Sequence, residues 1–239
     1  MPVRNHNVGG EVDWIGIAEA QSALAWWLDA GVDVAIQEDA RDWLKPAREK
    51  PPVAAEAPAP EARPAHDTLE QFQEWLSTAQ SLPMAGASAR RVRPQGSERA
   101  EVMLLAEAPE DSSAPLSGDA WQLAARMLAA IGFQEDQSYS ASLSYFHAPG
   151  VRMSPADREA CAEIARRHVA LAKPKRLLLL GDGPCTALLG KRLVEARSHI
   201  HKVEGVRAVA TFHPRHLINR PLDKSLAWKD LLLLMEEES

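Results

Sequence analysis

The chain has 239 residues, 46% hydrophobic and 25% charged, with a formal net charge of −6. That length gives room for one sizeable domain with an appendage, and its two cysteines, Cys161 and Cys185, exclude a disulfide framework. No apolar run approaches the ~20 residues of a membrane span, so no membrane partner is expected.

The opening stretch MPVRNHNVGG has no apolar core of the kind a secretion signal carries, which makes the cytoplasm the expected compartment. Free thiols fit that compartment. IAEAQSALAWWLDAGVDVAI has helical apolar spacing and breaks at Gly31, and DARDWLKP stops at Pro46. Residues 1–46 therefore read as a helical N-terminal extension. Six prolines fall between Pro46 and Pro64, with almost no large apolar side chain between them. Such a stretch buries too little surface to offset its ordering entropy, so residues 47–66 read as a linker. The remainder, 67–239, reads as one α/β domain.

DTLEQFQEWLSTAQ opens that domain as a short helix with Asp67 as its cap. VMLLAEAPE is a short buried strand breaking into a polar turn, and GDAWQLAARMLAAIGF an amphipathic helix. YSASLSYFH alternates like a strand. SPADREACAEIARRHVALAKP is a helix with Ser154 as cap, Pro155 in its first turn and Pro174 ending it. KRLLLLG is a fully buried strand, DGPCTALLG a helix, VRAVATF a strand and SLAWKDLLLLMEEE the last helix. Strands alternating with helices predict a three-layer α/β sandwich on a mainly parallel four-stranded sheet.

In parallel sheets, sites form beyond the carboxyl ends of the strands. The turns AEAPE, FHAPG and FHPRH all fall there. His213, in FHPRH, is suited to chemistry, to holding a phosphate or to capping the loop. Glu107 reads as a catalytic acid or base, or as a hydrogen-bonded structural carboxylate. The Gly-Asp-Gly at 181–183 lacks a full phosphate-loop pattern. His199, His201, His213 and His216 lack the paired spacing of a zinc site. Trp26, Trp27 and Trp43 could stack on bases, but at helical spacing the reading is packing.

Between Ser140 and Arg220 there are 14 Lys+Arg against 6 Asp+Glu, a local excess of +8 despite the negative total. Local charge decides whether a surface meets phosphates. Arg152, Lys191, Arg192, Arg197, Lys202, Arg215 and Arg220 are the candidate contacts; the alternative is solvated helix faces.

Five stretches in register resemble the uracil-DNA glycosylase superfamily, most closely its family 4 and related bacterial branches. They are LLAEAPE, APLSGDAWQLAARMLAAIGF, APGVRMSPADREACAEI, KPKRLLLLGDGPCTALLG and ATFHPRHLINRP, spread over Glu101 to Met235. The resemblance implies a hydrolase that flips uracil out of DNA and reads it in a pocket. His213 would then stabilise the leaving base and Glu107 would lie where water attacks. Ala106, Ala108, Pro109, Leu116 and Ser142 would border the substrate. Pro214, Arg215, His216, Leu217, Asn219 and Arg220 would engage DNA, with Arg152 beside them.

The sequence also departs from that pattern. Ala106 and Glu110 stand where the family has glycines, Leu116 where it has a stacking Phe, and Ser142 where it has an Asn. Of the four cysteines that hold the family 4 iron–sulfur cluster only Cys161 is matched, and Phe146 occupies the next ligand position. No iron–sulfur cluster or other cofactor is therefore expected. Two readings stand at this point. One is a metal-independent glycosylase for uracil or another deaminated base; the other is a glycosylase-fold DNA-binding or repair scaffold without turnover. Under either, the N-terminal extension suits tethering to a protein partner.

Overall fold

The structure, a computed structural model, describes residues 22, 26, 66–86, 89–98 and 100–236. The chain divides into two compact units, Met1–Glu61 and Ala62–Ser239. In the first, Ser22 and Trp26 are the described residues; both are helical, and Trp26 is exposed. Trp27, Trp43 and the proline-rich linker lie outside the described residues.

In the second unit the elements follow in chain order as α1 (Leu69–Thr78), β1 (Arg90–Arg91), β2 (Gln95–Gly96), β3 (Val102–Ala106), α2 (Gly118–Ala130), β4 (Ser138–Ser142) and β5 (Phe146–His147). Then come α3 (Pro155–Ala172), β6 (Arg176–Leu180), α4 (Asp182–Leu189), α5 (Leu193–Ala196), β7 (Ile200–Val203), β8 (Val206–Thr211), α6 (Pro214–Asn219) and α7 (Lys224–Met235). The main sheet has the order β2-β4-β3-β6-β8-β7. Its four central strands are parallel and its two edges antiparallel.

The expected parallel four are thus the centre of a six-stranded sheet. Both edges escape a periodicity reading for a physical reason. Strand β2 is two residues long, and β7 is a mostly exposed IHKV. Glu204 and Gly205, both at positive φ (49° and 80°), fold β7 back onto β8. Two positive-φ residues are what a tight hairpin with the sheet's own twist requires. YSASLSYFH is not one strand either. After Ser142 the hydroxyls of Ser142 and Ser144 donate to the carbonyls of Ser144 (2.7 Å) and Phe146 (3.1 Å), bending the chain. Phe146–His147 then pairs with β1 in a separate ribbon.

Side-chain alternation along the strands builds two cores. Met103, Leu105, Leu177, Leu179, Ala208 and Ala210 face α3 and α4, where Cys161, Ala165, Val169 and Cys185 meet them. Val102, Leu104, Leu178, Leu180 and Val209 face α2 and α7 through Ala124, Leu128, Leu231 and Leu234. A sheet buried on both faces needs such continuous apolar strands, and each fully buried Leu contributes about 1.5–3 kcal/mol.

Ser154 caps α3 through its hydroxyl, Pro155 lies in the first turn, and Lys173 ends it in the left-handed conformation before Pro174. For α1 the cap is Thr68, which accepts from Gln71 N, rather than Asp67. Helix α1 is fastened by a buried polar chain. The Gln73 amide donates to the Tyr139 hydroxyl (2.9 Å), and the Tyr139 hydroxyl shares a hydrogen bond with His168 Nε2 (2.8 Å). The other ring nitrogen, Nδ1, is hydrogen-bonded to the Tyr145 hydroxyl (2.9 Å). His168 is fully buried, and burial pushes its pKa down to about 3, so the ring is neutral.

Candidate active site

The polar turns after β3, β4, β6 and β8 converge at one edge of the sheet, and each is tied to the first. Ser144 N–H donates to Glu107 O (3.0 Å), extending the β3–β4 ladder past the strand ends. His147 Nδ1–H donates to Pro109 O (3.1 Å). The Glu107 side chain lies directly on Gly183, where a Cβ would fall 2.5 Å from its Cδ. Gly181, at φ +92°, runs under His213, with a Cβ there 3.7 Å from the His213 Cβ. Glu107 and His213 therefore border the same Gly-Asp-Gly turn, and the two glycines are required by close approach and by backbone conformation.

His213 caps α6. Its Nδ1 accepts from Arg215 N–H (3.2 Å), which fixes the proton of the neutral ring on Nε2. Burial lowers the His213 pKa; the nearby Glu110 carboxylate raises it and Arg215 lowers it. Burial prevails, and the ring presents an uncharged N–H donor. Glu110 lies between the two, with its Oε1 2.8 Å from Arg215 Nε and 3.7 Å from His213 Nδ1. Its second oxygen accepts from Arg215 Nη2, completing a bidentate pair.

Behind this loop the strand end is anchored in the core. Asp230, fully buried on α7, accepts from Arg197 Nε and from the Thr211 hydroxyl, both at 2.8 Å. The Arg197 guanidinium lies 4.2 Å from the Phe212 ring centroid. Phe212 in turn stacks on His216, with centroids 4.7 Å apart and planes 7° from parallel. His216 Nε2 bonds Asp223 (2.7 Å).

The structure does not gather all of the expected site residues. Glu107 and Ala108 are exposed and Pro109 is buried beneath them. Glu107 and Ala108 line a cleft of about 330 Å³ with Phe146, Arg152 and Arg158. Ala106 is fully buried in the core, since its side chain points with Leu104 towards α2. Leu116 is buried as well, and it borders a different cleft with Trp121 and Gln95. Ser142 is buried with its hydroxyl proton committed to Ser144 O. On the fourth turn Pro214 and Leu217 are core residues; the exposed apolar tip is Ile218, 38% exposed, beside exposed Asn219 and Arg220. His216 is held by Phe212 and Asp223, which makes it a support for the loop.

Glu110, Gly183, Phe146 and Arg158 are the residues that sequence reasoning missed. Gly183 had a signal in the Gly-Asp-Gly after a buried strand. Glu110 shows in the sequence only as a departure from a glycine position, because its partner Arg215 is 105 residues away.

The donor set does not fit an iron–sulfur cluster, which needs four thiolates against the two cysteines of this chain. Cys161 and Cys185 are buried in one core, and burial pushes each thiol up to about 12. No group of three or more metal-binding side chains occurs among the described residues. His199 Nδ1 and His201 Nε2 donate to the carbonyls of Arg197 and Ala196, each at 2.8 Å. No helix among the described residues is long and apolar enough to cross a membrane.

Among known proteins, a family model described as the uracil DNA glycosylase superfamily matches residues 93–232. No curated protein matches the chain.

Proposed function

The chain belongs to the uracil DNA glycosylase superfamily, and from that premise we propose that it binds DNA and hydrolyses the N-glycosidic bond of uracil or another deaminated base. The observation that carries this reading is the fixed tautomer of His213. With Nδ1 occupied by Arg215 N–H, Nε2–H is the ring's remaining polar group, a neutral donor at the strand edge that bears Glu107.

In the proposed reaction the bond from the sugar C1′ to the base nitrogen breaks, and its electron pair leaves with the base. A donor aimed at the base oxygen where that charge gathers lowers the barrier, because it is already oriented when the charge appears. His213 Nε2–H supplies it. The sugar is left electron-poor, and water adds to C1′ while losing a proton. In this reading the exposed Glu107 carboxylate, which borders the same Gly-Asp-Gly turn, holds that water and offsets the positive charge. Protonation of the released base completes the balance.

A second reading, a glycosylase-fold DNA-binding protein without turnover, is favoured by Ser142, whose hydroxyl donates within the protein rather than to a ligand. A base-release assay separates the two. Oligonucleotides containing uracil, hypoxanthine or xanthine are incubated with the wild type, His213→Ala and Glu107→Ala. Release that both substitutions abolish supports the enzyme. Salt-sensitive DNA binding without release supports the second reading, and neither release nor binding overturns both.

A further inference from the structure

Arg158 lies in the second turn of α3, half-buried, and borders the cleft that Glu107 borders. Its Nε is fully buried and has no hydrogen-bond partner. Among the described residues neither Arg158 nor the neighbouring Arg152 has a carboxylate partner. A buried donor left unmade costs on the order of 1–3 kcal/mol, and more when the group is charged. The fold does not need this cost. A neutral side chain of similar length would avoid that cost while keeping the packing of the stem. A guanidinium that the fold leaves unpaired, on a side chain bordering an open cleft, is explained by an acceptor that arrives with a ligand.

The cleft's shape and chemistry narrow the ligand. Met84, Phe146 and Met153 give it an apolar wall, and Arg152 and Arg158 supply two cations on the α3 side. The two Nη groups of a guanidinium offer N–H donors side by side, a spacing that fits two oxygens of a phosphate. Its volume of about 330 Å³ is at the small end of ligand sites. An apolar wall beside paired cations suits one sugar–phosphate unit, with the deoxyribose on the wall and the phosphodiester on the arginines. We infer that Arg158, assisted by Arg152, holds a backbone phosphate of the DNA strand in the cleft beside Glu107. This rests on the DNA-directed reading above.

The test is the salt dependence of binding to a fluorescein-labelled, uracil-containing single strand, read by anisotropy for the wild type, Arg158→Met, Arg158→Lys and the remote control Lys229→Gln. Loss of one phosphate contact lowers the slope of log K against log salt by ~0.7 for a single strand. Arg158→Met is expected to show that drop, Arg158→Lys to keep the wild-type slope with weaker binding, and Lys229→Gln to change nothing. Thermal unfolding is measured alongside. Because the donor is orphaned, Arg158→Met is expected to leave the Tm unchanged or raise it. A wild-type slope in Arg158→Met, or a lowered Tm, overturns the inference while the DNA-directed reading stands. A wild type that binds no DNA overturns both.

Discussion

The carboxylate of Glu107 rests on the bare Cα of Gly183, across the gap between the first and third turns of the sheet edge. A glycine buried in the first turn of a helix is poor for the helix; here it makes room for an acidic side chain. Gly183→Ala would place a methyl group 2.5–2.6 Å from three atoms of Glu107, its Cβ among them, so the backbone at Glu107 has to shift together with its side chain. The expected result is a folded protein, destabilised by about 1–3 kcal/mol from overpacking. On the proposed function, base release falls on the order of 100-fold, as when a reacting group is displaced by about 1 Å. Full activity in Gly183→Ala would remove Glu107 from the chemistry.

Glu110 and Arg215 set the charge felt by His213. Glu110→Gln removes the influence that raises the His213 pKa and lowers it further; Arg215→Ala removes one that lowers it and shifts it upward. Titration of the His213 ring by NMR in the two variants checks the sign. The wild-type midpoint is expected below the ordinary histidine value of about 6.5, and shifts in one direction for both variants would contradict this arrangement.

His168 makes the domain acid-sensitive. Its folded pKa of about 3 lies below the unfolded value of 6.5, so between these pH values the unfolded chain binds one more proton than the folded one. Its contribution to stability is complete above pH 6.5 and is lost as the pH falls towards 3. Urea unfolding at a series of pH values is expected to show a falling midpoint across that window. In His168→Gln the slope is reduced, from a lower starting stability.

Arg197→Met leaves Asp230 buried with the Thr211 hydroxyl as its remaining partner. Stranding a buried charge costs roughly 3–5 kcal/mol, and for a domain of this size each kcal/mol lowers the Tm by about 2–4 °C. The expected drop is on the order of 10 °C by calorimetry. A change within error would mean that the pair carries no net stability.

The layers of the fold were legible because KRLLLLG and VMLLA are apolar without interruption, which a strand buried on both faces requires. The location of the site was legible because three polar, proline-containing turns follow such strands. What escaped depends on pairings distant in the chain. Glu110 reads as a damaged glycine position until Arg215 is seen against it, and β2 is recognisable only by its partner β4. Register with a motif puts Leu116 against the substrate and Leu217 against DNA. Both are drawn into the core instead, because an apolar side chain beside a core cluster gains more from burial than from display.

On the proposed function, the stack of Arg197, Phe212 and His216 decides where the work of recognition falls. The segment carrying His213 and Ile218 is joined through Phe212 and Asp230 to α7 and the sheet, so it has little freedom to reshape itself around a visitor. Any strand that reaches Ile218 and Arg220 meets a surface already set. The energy of fitting must then come from bending and unstacking the nucleic acid, and the sequences easiest to distort would be the ones this surface prefers.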